Sequence, residues 1–136
     1  MPNIILISGG FDPIHSGHIN LIKAAGFYGD VVVLLNSDNW LRNKKGKEFL
    51  PFNERKTIIL SIKKVIDVIK FDDTDKTCLD GIKKAIEKYK NKEIKFANGG
   101  DRDNSTTPEL EFCKEKKIEM LWGIGGNEKS NSSSWI

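Results

Sequence analysis

Three stretches of this chain are apolar with little interruption, and each runs into small polar or glycine residues. They are Asn3–Ser8 before Gly9-Gly10, Val31–Leu35 before Asn36-Ser37-Asp38, and Ile94–Ala97 before Asn98-Gly99-Gly100. A short run that does not alternate apolar with polar positions predicts a strand covered on both faces. Val65–Phe71 and Ile118–Trp122 are weaker strands of the same kind. Between them the spacing becomes helical. His18, Leu21, Ile22 and Ala25 share one face, as do Leu79, Ile82, Ile86 and Tyr89. Ile58, Ile59 and Ile62 form a third stripe behind Pro51 and Asn53, and Pro108 after Thr107 predicts a further helix start. Strands and helices thus alternate. That order predicts an α/β fold: a doubly wound, Rossmann-like parallel sheet of five strands, ordered 3-2-1-4-5, with helices on both faces.

In such a sheet a ligand sits beyond the carboxyl ends of the strands, where the winding reverses. With the first strand central and the fourth beside it, the Gly9–His15 loop and the Asn98–Arg102 loop meet there. Composition adds little to this picture but excludes other classes. The 136 residues, 38% hydrophobic and 30% charged, suit one domain spanning 1–136 that needs neither metals nor disulfides to hold its core. No run approaches the ~20 apolar residues of a membrane span, and the N-terminal stretch has no basic lead. Cys78 and Cys113 read as reduced thiols, so a cytoplasmic protein is expected. A formal charge of +3 is too weak to imply a nucleic-acid partner, and the lysine pairs read as solvated faces.

Histidine is the informative count. There are 2, His15 and His18, and both lie in Gly9-Gly10-Phe11-Asp12-Pro13-Ile14-His15-Ser16-Gly17-His18. The glycines let the backbone turn sharply off the strand and approach a ligand. A helix that begins near Ser16, a fair N-cap, points its free amides into the same crevice and makes an anion site. Two imidazoles beside it can donate hydrogen bonds to phosphate oxygens. The alternatives are a structural pair that only caps or packs, and a zinc site, which would need a further ligand and a different spacing. Gly123-Ile124-Gly125-Gly126 is only faintly like a dinucleotide fingerprint and is set aside.

The loop resembles the HxGH loop of the cytidylyltransferase-like nucleotidyltransferases. The likeness continues, in order, through Asn36-Ser37-Asp38, Lys45-Gly46, Pro51 with Glu54-Arg55, Asp67-Val68 and Gly99-Gly100-Asp101. That succession is similar to glycerol-3-phosphate cytidylyltransferases and heptose-1-phosphate adenylyltransferases. Asn131-Ser132-Ser133-Ser134 resembles the C-terminal Ser/Thr motif of the same family. The resemblance implies transfer of CMP, ahead of AMP, from a nucleoside triphosphate to a small phosphomonoester such as glycerol 3-phosphate or a sugar phosphate. Pyrophosphate leaves. Adenylyl transfer to a heptose 1-phosphate is the alternative, and a catalytically silent nucleotide-binding protein is the alternative of another class.

The same resemblance implies site residues. His15, His18 and Lys45 are the expected catalytic groups. Gly9, Gly10, Phe11, Asn98, Gly100, Asp101, Ser132, Ser133 and Ser134 join both histidines around the nucleotide. Asp12, Asp38, Lys45 and Arg55 are expected around the acceptor. Arg55 falls in register with Ile58, Ile59 and Ile62, as an inward phosphate or substrate contact would, or as a first-turn arginine that reaches back to solvent. Lys45 stands in what reads as a lysine-rich loop. Mg²⁺ is expected to arrive on the triphosphate rather than on protein ligands, and a homodimer is expected, with no nucleic acid and no membrane. Two departures touch base selectivity: Asn98 where relatives often carry a basic or aromatic residue, and Asn127–Lys129 where they often place an arginine, whose charge Lys129 could supply.

Overall fold

The structure is a computed structural model and describes residues 3–99 and 108–125. Its elements run β1 (Ile4–Gly9), α1 (Ser16–Gly26), β2 (Asp30–Leu35), α2 (Asp38–Lys45), α3 (Phe52–Leu60), β3 (Val65–Lys70), α4 (Leu79–Lys88), β4 (Ile94–Gly99), α5 (Pro108–Glu115) and β5 (Glu119–Ile124). All strand pairs are parallel, as the alternation predicts, and the order is the expected β3-β2-β1-β4-β5, with β1 central and β4 beside it.

The uninterrupted apolar runs are explained by two cores, one on each face. In β1, Ile4 and Leu6 point into a cluster with Ile82, Ala85 and Phe96, whereas Ile5 and Ile7 point into one with Ile22, Ala25 and Ile59. Side chains on a strand alternate between faces, so a strand covered on both sides must be apolar at every position. Cys78 and Cys113 pack in the first of these clusters. Burial, with Glu109 adding to it, pushes the Cys113 thiol up to about 11. Among the described residues no helix is long and apolar enough to cross a membrane.

One element departs from the sequence reading. Residues read as a lysine-rich loop form α2, and Lys45 is its last residue. The helix has no apolar stripe, because only Leu41 is buried. Its ends define it instead. The Ser37 hydroxyl accepts from Trp40 N at 3.0 Å, Asp38 sits in the first turn, and Arg42, Lys44 and Lys45 sit in the last. Gly46 closes it at φ 90°, a left-handed conformation that only glycine adopts cheaply.

Candidate active site

The turn leaving β1 is built around its glycines and histidines. A side chain at position 10 would bring its Cβ within 2.7 Å of Leu41 Cδ2 and 3.4 Å of Trp40 Cζ3, so Gly10 lets α2 close against the loop. Phe11 follows at φ 50°, a conformation disfavoured for a bulky residue. Its ring is buried and meets His18 edge to face, with centroids 4.8 Å apart. What position 11 offers a ligand is therefore backbone, and the ring serves as a wall behind His18.

The sequence reading placed the N-cap at Ser16. The structure moves it one residue back, to His15, because a ring nitrogen takes the capping role. His15 Nδ1 accepts from Gly17 N at 3.1 Å, and His18 Nδ1 accepts from His15 N at 3.2 Å. Two histidines thus form a reciprocal capping box, an arrangement usually made by Ser or Thr with Glu. Each ring uses Nδ1 as an acceptor, so the proton of the neutral imidazole is assigned to Nε2. The rings stack with centroids 3.9 Å apart. Burial lowers the His15 pKa, and burial together with the neighbouring His15 lowers that of His18 to about 4.

The structural reading and the anion-binding reading of this pair are therefore compatible. Nδ1 caps the helix while Nε2–H stays available. Among the described residues, the one buried side-chain polar atom without a hydrogen-bond partner is His15 Nε2. A buried N–H left unpaired costs on the order of 1–3 kcal/mol, and it is accepted where a ligand completes it. Neutral rings also suit the stack, since two imidazolium charges at this spacing would repel.

Around the histidines lies a frame of buried polar contacts. Asp12, whose side chain is 0% exposed, accepts from Phe49 N at 2.6 Å and from Leu50 N at 2.8 Å. Lys45 Nζ donates to the Asp12 carbonyl and lies 3.5 Å from its carboxylate. Arg55 does point inward, but its partners are protein groups and it is neither a solvent-seeking arginine nor open to an acceptor. Its Nε donates to Leu50 O at 2.9 Å, its Nη1 to Gly10 O and Asn36 O at 2.9 Å each, and its Nη2 to Asp38 Oδ1 at 2.6 Å. With its side chain 0% exposed, it holds three segments together. Asp38 is correspondingly occupied, although its side chain stays 27% exposed. Asn98 is buried and its Nδ2 donates to Leu121 O at 3.2 Å, which turns its amide toward β5.

Sequence reasoning missed Asp73. Buried in the loop after β3, it accepts from Asn36 Nδ2 at 3.0 Å, Ser37 N at 2.8 Å and Ser37 Oγ at 2.8 Å. It therefore orients the cap that starts α2. The adjacency of β2 and β3 was the available signal, because it brings the loops after both strands together. Gly100, Asp101, Ser132, Ser133 and Ser134, with Arg102 and Lys129, lie outside the described residues. The described residues contain no group of three or more His, Cys, Asp or Glu able to hold a metal.

A strand-to-helix turn with two stacked histidines, at the carboxyl edge of a 3-2-1-4-5 sheet, narrows the comparison with known proteins. The family described as cytidylyltransferase-like matches residues 6–127. The chain belongs to this family of nucleotidyltransferases. Within this cytidylyltransferase-like family it is similar to the bifunctional protein HldE of Geobacter metallireducens, at 36% identity over 94% of this chain and 26% of that protein. The HldE protein of Helicobacter hepaticus is 29% identical over 94% of this chain and 25% of its own length. The chain thus spans about a quarter of the length of the curated relatives it matches. A lipopolysaccharide core biosynthesis protein from Thermoplasma volcanium shares the fold at a TM-score of 0.67 and 22% identity, covering 90% of this chain and 95% of that one.

Proposed function

We propose that this chain transfers a nucleotidyl group from a nucleoside triphosphate to a small phosphomonoester. The observation that carries this reading is the unpaired Nε2–H of His15, buried beside its stacked partner His18 at the N-terminus of α1. The first-turn amides are taken up by the histidine cap, so two neutral ring donors at the positive end of the α1 dipole form the preorganised cradle for an anion. In the step, an oxygen of the acceptor phosphate attacks the α-phosphorus in line. The bond from that phosphorus to the bridging oxygen of the β-phosphate breaks, and pyrophosphate takes the electron pair. The Nε2–H groups of His15 and His18 hydrogen-bond the non-bridging α-oxygens as charge builds there. No proton leaves either ring, in keeping with their neutral state.

Lys45 supplies a positive charge at the mouth of the same turn, where an entering phosphate meets it. Arg55 and Asp12 act through others: they fix the Gly10 carbonyl, the α2 start and the Phe49-Leu50 backbone. The carboxylates nearest the turn are already paired, Asp12 with amides and Asp38 with Arg55. That fits Mg²⁺ held by the triphosphate itself, where it supplies neutralisation of the phosphate charge.

The resemblance to glycerol-3-phosphate cytidylyltransferases supports CTP as donor, and the resemblance to heptose-1-phosphate adenylyltransferases supports ATP. The test is pyrophosphate release with CTP or ATP, Mg²⁺ and a panel of phosphomonoesters. Release with at least one donor and acceptor pair is expected. Nucleotide binding with no release from any pair would contradict the reading and mark a nucleotide-binding protein.

A further inference from the structure

Of the described residues, Phe27, Tyr28, Phe49, Leu60 and Ile66 are large hydrophobics that stay exposed. Phe27 and Tyr28 precede β2, and Leu60 and Ile66 flank the start of β3, at the amino end of the sheet. Phe49 alone among them stands at the carboxyl edge, beside the candidate active site. Scattered exposed apolar residues are ordinary and need no explanation. Phe49 differs in how firmly it is held.

Its backbone N–H is bonded at 2.6 Å to the fully buried Asp12 carboxylate, and Leu50, the next residue, is tied at both its N–H and its carbonyl. Phe49 is 52% exposed, and Lys45 Nζ lies over its ring, 4.5 Å from the centroid. On the same helix α2 the pairing recurs, with Lys44 Nζ 4.9 Å from the Trp40 centroid. A rigidly held ring with an ammonium group over one face matches a ligand that carries a phosphate and a flat, weakly polar ring face to lie against the other. A pyranose phosphate has both. Glycerol 3-phosphate and aminoalcohol phosphates have the phosphate alone.

We propose that Phe49 is a specificity residue for the acceptor, stacking on the carbohydrate ring of a phosphorylated sugar whose phosphate is met by Lys45. The proposal rests on the nucleotidyl-transfer reading above. It assigns the acceptor class to one side chain.

The test is steady-state kinetics on the full chain with its nucleotide, using glucose 1-phosphate and other pyranose phosphates against glycerol 3-phosphate. The wild-type protein should favour the ring phosphates. Phe49→Ala should raise their KM about five- to tenfold, the scale of one lost aromatic contact, with kcat and the nucleotide KM little changed. Glycerol 3-phosphate should not feel the change, and Phe49→Tyr should restore the preference. Phe27→Ala, at a still more exposed aromatic at the other end of the sheet, should alter nothing. Transfer that proceeds with equal KM values in wild type and Phe49→Ala overturns the role of Phe49 while leaving nucleotidyl transfer intact. So does a KM rise shared by glycerol 3-phosphate or by the nucleotide. No transfer by the wild-type protein with any acceptor overturns both readings at once.

Discussion

Replacing His15 with asparagine is expected to lower turnover at least about a hundredfold while leaving the fold in place. Asparagine is a good N-cap residue, and its side-chain oxygen can replace Nδ1 as the acceptor for the Gly17 amide. What it cannot replace is the distal Nε2–H. One preorganised donor removed from a developing phosphate charge typically costs about 10²–10³ in kcat. His15→Ala removes both functions and adds a capping loss of about 1 kcal/mol. The comparison separates roles that the histidine combines. Turnover by His15→Asn within a few-fold of wild type, measured by pyrophosphate release, would show that the ring serves only to cap α1.

The largest stability effect is expected at Arg55. Its guanidinium joins Gly10 O, Asn36 O, Leu50 O and Asp38 Oδ1, which come from three separate segments of the chain. Arg55→Met keeps much of the stem but leaves these acceptors without donors and Asp38 without its partner. Breaking a buried charged contact of this kind costs about 3–5 kcal/mol. Arg55→Lys should recover only part, because one ammonium cannot span the fork that a planar guanidinium fills. Urea unfolding checks this. A loss below about 1 kcal/mol for Arg55→Met would mean that the loops are held by their packing alone.

These two residues also show what the chain disclosed before folding. The three central strands were legible because each is apolar at consecutive positions, a pattern that follows from burial on both faces, whereas the edge strands β3 and β5 are only partly buried and left weaker runs. Helix α2 was not. It buries only Leu41, and its caps at Ser37 and Gly46 leave no periodic trace. The His15-Ser16-Gly17-His18 spacing pointed to an anion site or to a capping pair, and the ring nitrogens serve the second role in a way that leaves room for the first. Arg55 was legible as inward-pointing from its helical register. Its partners were not, because they come from loops distant in sequence. Asp73, 36 and 37 positions from its partners, sits in an acidic run that reads as an ordinary turn. Phe49 has no periodic neighbours at all, so only its anchoring by Asp12 sets it apart.

The central claim is that His15 and His18 are neutral and present Nε2–H to a triphosphate. Nitrogen-15 NMR of the protein labelled at histidine reads it directly. In the free protein at pH 7 both rings should be neutral with the proton on Nε2, and His18 should stay so until about pH 4. Saturation with CTP or ATP and Mg²⁺ should shift both Nε2–H signals strongly while the Nδ1 nitrogens remain acceptors. His18 protonated near pH 6, protons on Nδ1 of either ring, or Nε2 signals unmoved by a nucleotide that binds would contradict it.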